Sequence, residues 1–183
     1  MITLNELFEH ALFRIPDYQR GYSWGDDQRR DFWEDVANLR DEEGRMHYTG
    51  VLTLRRIAPE TFPVDSPERA ALQAHPRMRA YEVVDGQQRL TTAIILANEF
   101  MSAFLARGMS ELDFGETFVR LRQRFVWRDD EDGGYSLLDY VNDPEMSRYF
   151  RCVILGVETG NGQQYEETSY SRNLANAVNF FKR

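Results

Sequence analysis

Apolar positions along this chain change period several times, and each change marks an expected element. Tyr81 to Val84 is aromatic and β-branched, a strand pattern, whereas Leu90 to Phe100 carries apolar residues at helical spacing. Between them lies Asp85-Gly86-Gln87-Gln88-Arg89, a polar strand-to-helix turn, and the helix is expected to end near Gly108. Thr3-x-x-Glu6 is a capping box opening a short helix, and "LFRIP" reads as a brief strand stopped by Pro16. From Asp26 a helix is predicted to about Arg40, with Phe32, Trp33, Val36 and Leu39 on one face. "YTGVLTLRRI", Tyr48 to Ile57, predicts a strand.

Residues 58–79 hold Pro59, Pro63, Pro67 and Pro76 among charges and are expected to form a long exposed excursion, the first place to look for mobility. Phe114, Phe118, Leu121 and Phe125 suggest a further helix, Asp130 to Gly134 a turn, and "YSLLDYV" a strand. Pro144 at a first helical turn starts "EMSRYFRCVIL", "ETGNGQQYEET" reads as a linker, and "SYSRNLANAVNFFKR" is an amphipathic helix with Leu174, Val178 and Phe181 on one side. No internal repeat is visible.

With 183 residues the expectation is a single domain over 1–183, a core at 1–110 carrying a helical and hairpin extension at 111–183. At 42% apolar and 13% aromatic residues the chain can bury a core, and no apolar run approaches the roughly 20 residues that span a bilayer. The opening residues Met1 to Glu6 lack the basic and apolar regions of a signal peptide, and Cys152 has no second cysteine to pair with. A cytoplasmic location with no membrane partner is therefore the expectation.

A net charge of −8 argues against a protein that coats nucleic acid non-specifically, although a local basic surface is compatible with it. Of the 22 basic residues only Lys182 is lysine, which rules out a Gly-x-x-x-x-Gly-Lys-Ser/Thr phosphate loop. His10, His47 and His75 have no metal-ligand spacing, and Gly-x-Ser-x-Gly is absent. Cys152, in an apolar helical context, reads as a buried structural thiol. The strip Arg120, Arg122, Arg124 and Arg128 is followed by Asp129 to Asp132 and reads as a solvated face.

Two stretches carry candidate chemistry. In the first, the helix N-terminus after Gly86 favours a phosphate and Arg89 can fork onto two phosphate oxygens, while a glycine admits close approach to the backbone. Asp85 is a candidate Mg²⁺ ligand or water-orienting group, Gln87 and Gln88 can bond a sugar, base or attacking water, and Thr91 or Thr92 can add a phosphate contact. The same residues also fit a bland reading, in which Asp85 and Gln88 form a capping box and Arg89 pairs with Glu82 or Glu99. In the second stretch, "IPDYQRGYSW", Tyr18, Tyr22 and Trp24 offer aromatic faces and Gln19 and Arg20 offer donors, a set that suits a base and its phosphates or else a turn whose aromatics fill the core.

Taken together, "FRIPDYQRGYSW", "FWEDV", "YTGVLTL" and "VVDGQQRLTTAIIL" resemble, in order and character, the N-terminal domain of GmrSD-type restriction enzymes, phage-defence proteins with a ParB/sulfiredoxin-like fold. The resemblance covers roughly residues 8 to 100 and is diffuse beyond 110. It implies an α+β module with a small mixed β-sheet packed with several α-helices. It ties Asp85, Gly86, Gln87, Gln88 and Arg89 to binding and hydrolysis of a nucleoside triphosphate, with Tyr18, Gln19 and Arg20 beside them. Relatives of this kind continue into a His-Asn-His nuclease that cuts modified DNA. That nuclease domain is not expected here, since none of the three histidines sits in such a motif, so the expected partners are a nuclease domain or subunit and DNA, met directly or through it. A nucleotide-binding and hydrolysing module is the resulting expectation, with Asp85, Gln87 and Arg89 as its catalytic residues. The alternative is a non-hydrolysing switch that senses nucleotide or DNA and gates a partner nuclease.

Overall fold

The computed structural model describes residues 3–38, 48–108, 117–128, 134–141, 143–157 and 164–182. Among these residues seven helices surround a small mixed sheet, in chain order α1 (Leu4–Glu9), β1 (Ala11–Ile15), α2 (Asp26–Ala37), β2 (Thr53–Ile57), α3 (Pro67–Ala74), β3 (Arg79–Asp85) and α4 (Gln87–Ala106). There follow α5 (Thr117–Phe125), β4 (Trp127–Arg128), β5 (Tyr135–Ser136), β6 (Leu138–Tyr140), α6 (Pro144–Tyr149), a π-helical turn at Phe150–Ile154, and α7 (Ser169–Phe181). The architecture is α+β, as the sequence predicts.

The sheet runs β2-β3-β1-β6, and β4 pairs with β5 in a separate two-stranded ribbon. β1 is parallel to both β3 and β6, while β2 is antiparallel to β3. Four of the five β1 residues are buried, as a strand flanked on both sides and covered on both faces requires. Because the three parallel strands share a direction, Ile15, Asp85 and Tyr140 end at one edge, and Ala11 and Arg79 begin at the other. Connecting loops at the carboxyl edge of parallel strands are where such sheets build sites.

One continuous core joins β1, β3, α4, β6, the π turn and α7, with Phe8, Phe13, Ile94, Ile95, Leu138, Phe150 and Leu174 almost wholly enclosed. Each such side chain contributes about 1.5–3 kcal/mol by leaving water. Residues beyond 110 thus supply the fourth sheet strand and a core helix, and α7 packs against α4 and α2.

Several local expectations hold: the Thr3/Glu6 capping box, Pro144 in the first turn of α6, and the left-handed Gly108 that follows α4. Others differ. Residues 58–79 form a 3₁₀ turn at Pro59–Thr61 and the helix α3, with Phe62, Ala71, Leu72 and Met78 buried, so the segment is packed rather than an exposed excursion. Pro67 stands in the first turn of α3, capped by Ser66, where its missing N–H costs nothing. In α2 the inward residues are Arg29 and Phe32, while Trp33 is 44% exposed, so the apolar face is narrower than predicted. The strand expected from Tyr48 is regular only from Thr53, and Cys152 is half-buried in the π turn. Leu39, Phe114 and most of the Asp130–Gly134 turn lie outside the described residues.

Candidate functional site

Asp85 closes β3 and Gly86 caps α4, so the motif stands at the carboxyl edge of the parallel strands. Gly86 has φ 92°, a left-handed conformation that favours glycine. A β-carbon there would lie 2.6 Å from Leu52 Cδ1 and 3.2 Å from the Val51 carbonyl, so the close approach it permits is that of the 48–52 segment. No described side chain caps α4, and its first-turn N–H groups keep their capacity to bind an anion. The capping box of Asp85 with Gln88 does not form, because Gly86 takes the cap position and Gln88 reaches elsewhere.

Gln88 and its neighbour grip the preceding loop. Gln88 Nε2 donates to the Gly21 carbonyl at 3.2 Å and its Oε1 accepts from Ser23 N at 2.9 Å. Gln87 Nε2 donates to the Arg20 carbonyl at 2.7 Å, and Gln19 Nε2 donates to the Val84 carbonyl, also at 2.7 Å. Tyr22 Oη lies 2.9 Å from Thr92 Oγ1, and the Thr92 hydroxyl is 2.8 Å from the Gln88 carbonyl. Asn173 of α7 donates to the Tyr22 carbonyl at 3.1 Å. The Asp17–Trp24 loop, the start of α4 and α7 are thereby one hydrogen-bonded unit.

These bonds sort the predicted residues. Thr91 and Thr92 are 1% and 0% exposed, inside the core, and both amide ends of Gln88 are occupied. Gln87 is buried with Nε2 bonded, but its Oε1 has no partner among the described residues, a costly state for a buried acceptor. Tyr18, Arg20, Asp85 and Arg89 are exposed, and Gln19 is half-buried. Among the described residues Asp85, Arg20 and Arg89 have no side-chain hydrogen bond or ion pair, and the anticipated acids are taken elsewhere, Glu82 by Arg55 and Glu99 by Lys182. The Arg89 guanidinium lies against Gly50, itself at φ 105°, over a cavity of about 40 Å³ that Gly86 and Leu52 also line.

On the other side of the loop a cavity of about 340 Å³ is lined by Pro16, Gln19, Tyr22, Tyr140, Asp143 and Tyr170 among others. Burial raises the Tyr22 phenol above its ordinary value, opposed by the Thr92 hydroxyl. It raises Tyr140 further, opposed by Thr91, so both phenols stay neutral. This cavity joins β1 and β6, and Tyr140 and Asp143 give no signal in sequence because only the sheet register brings them beside Tyr22.

His10 and His75, far apart in sequence and without metal-ligand spacing, line a single cavity at the opposite edge together with Arg120, Arg124 and Arg128. His47 lies outside the described residues. Among the described residues no three His, Cys, Asp or Glu side chains gather as a metal site, and no helix is long and apolar enough to cross a membrane.

No curated protein matches the chain. Its sequence does match the family described as the GmrSD restriction endonuclease N-terminal domain, over residues 4–183. The chain therefore belongs to the GmrSD N-terminal domain family and is part of a restriction system.

Proposed function

We propose that this domain binds, and hydrolyses, a nucleoside triphosphate at the carboxyl edge of the parallel strands. The observation that carries this reading is the pair Asp85 and Arg89, opposite charges on either side of the β3–α4 junction, where no described side chain caps the helix, both exposed and both without a partner among the described residues. Such a pair is what a Mg²⁺-bound triphosphate needs, a carboxylate for the metal and a guanidinium for phosphate oxygens. Asp85 is the candidate Mg²⁺ ligand, and Arg20, exposed on the clamped loop, is the second cation.

The roles of the amides change in this reading. Gln88, Thr91 and Thr92 hold the loop to α4 and act as positioning residues. Gln87 keeps one acceptor, Oε1, for a water or ligand hydroxyl, and Tyr18 offers a ring 62% exposed for a base. In-line phosphoryl transfer relies on positioning and charge neutralisation, which these groups supply without a covalent nucleophile.

One observation favours the alternative switch. The loop that flanks the site is bonded to α7 through Asn173, so nucleotide occupancy at Arg20 reaches the last helix of the chain without any turnover. Phosphate release measured with Mg²⁺ and each ribonucleoside triphosphate separates the two. Asp85→Ala keeps binding and loses release if the domain is an NTPase. Binding by the unaltered chain without release leaves the switch.

A further inference from the structure

A cavity of about 750 Å³ opens where the parallel strands begin, across the sheet from Asp85 and Arg89. Register builds it. Ala11 pairs with Arg79, and Arg79 N donates to the His10 carbonyl at 2.9 Å, which brings His10 beside the His75–Met78 turn. The other wall is α5, where Arg120 and Arg124 are four residues apart and so share one face, and Arg128 on β4.

We propose that this cavity docks the phosphodiester backbone of duplex DNA, with Arg77, Arg120, Arg124 and Arg128 facing phosphates. Glu9 is the single carboxylate in its described lining, against four arginines, in a chain whose net charge is −8. Arg128 is held in place by neutral groups: Nη2 donates to the carbonyls of Phe8 and Glu9 at 2.8 and 2.6 Å, and Nη1 lies 3.5 Å from Met78 Sδ. Arg124 bonds the neutral Asn5 amide oxygen, and Arg77 bonds nothing among the described residues. None of these three charges is neutralised by an acid among the described residues, and guanidinium charges without an acidic partner suit phosphate oxygens. Neighbouring His10 and His75 add donors.

Two features favour a DNA backbone over a free nucleotide. Tyr135, the one phenol in the lining, is 3% exposed with its hydroxyl 3.7 Å from Met78 Sδ, so its ring offers no open face to a base. The cations are spread over three elements rather than converging from one helix start, the arrangement that tracks a row of phosphates.

Fluorescence anisotropy of a labelled mixed-sequence duplex, titrated with the 183-residue chain over a range of salt, tests this. Arg77→Glu and Arg77→Glu/Arg124→Glu are expected to weaken binding, the double variant by about tenfold or more at about 50 mM salt, and to flatten the log–log salt slope by about 1 and 2. Arg77→Glu breaks no bond among the described residues, so its result does not depend on folding. Unchanged affinity and slope in both variants overturn the proposal. So does loss of Mg²⁺-triphosphate binding in the same variants with displacement of the duplex by triphosphate, which would make the cavity a nucleotide site. Arg89→Ala is expected to leave duplex binding unchanged, so failure of the nucleotide reading and failure of this one are distinguishable.

Discussion

A β-carbon on Gly50 would stand 2.7 Å from Nη1 and 2.8 Å from Cζ of Arg89, so the bare backbone at Gly50 is what lets the guanidinium lie where it does. Gly50→Ala should therefore move Arg89. A non-glycine residue at φ 105° also costs on the order of 1–3 kcal/mol, which lowers the melting temperature by several degrees. Triphosphate affinity is expected to fall about tenfold, equivalent to about 1.4 kcal/mol. Calorimetry on the folded variant checks this, and full affinity would remove Arg89 placement from the account.

Gln88 makes two bonds to loop backbone, so Gln88→Ala leaves the Gly21 carbonyl and the Ser23 N–H without their partner. A loss of about 1–3 kcal/mol in urea unfolding is expected. Gln88→Glu keeps the acceptor for Ser23 and loses the donor to Gly21, so its midpoint should fall between the two. Three equal midpoints would show that the clamp contributes nothing.

Gly21 touches the last helix. A β-carbon there would overlap the ring of Tyr170, so Gly21→Ala should push α7 off the loop at a cost of about 1–3 kcal/mol. Removing the obstacle restores the fit. Gly21→Ala/Tyr170→Ala is predicted to be more stable than Gly21→Ala alone, and a double variant with simply additive losses would contradict the contact.

Glu99 is buried beside Asn98, 3.9 Å from Lys182 Nζ, and desolvation raises its carboxyl above the ordinary value despite the opposing lysine. The folded state therefore holds a proton over a pH range in which the unfolded state has lost it. By linkage, stability falls as pH rises from the usual glutamate range, near 4.5, through the raised folded value. Glu99→Gln should flatten that decline and raise the urea midpoint at neutral pH. A variant with the same pH slope as the parent would assign the decline to another group.

Much of this architecture was legible because it is local. The apolar period named α4 and α7, Thr3 with Glu6 named the first helix, and the polar turn between a strand and a helix placed Asp85 and Arg89 correctly. What stayed hidden is tertiary. Gln87 and Arg20 are 67 positions apart, and nothing in either neighbourhood says that the amide of one reads the carbonyl of the other. His10 and His75 share a cavity only because β1 and β3 begin in register. The prolines of 58–79 misled for a different reason: Pro67 marks a helix start as readily as a loop, and only the buried Ala71 and Leu72 decide which.

Calorimetric titration of the chain with each ribonucleoside triphosphate and Mg²⁺, repeated with Arg89→Ala, tests the central claim most directly. Micromolar binding of at least one triphosphate, lost in Arg89→Ala while the fold persists, is the predicted result. No binding by the folded chain, or equal binding by both proteins, would contradict it.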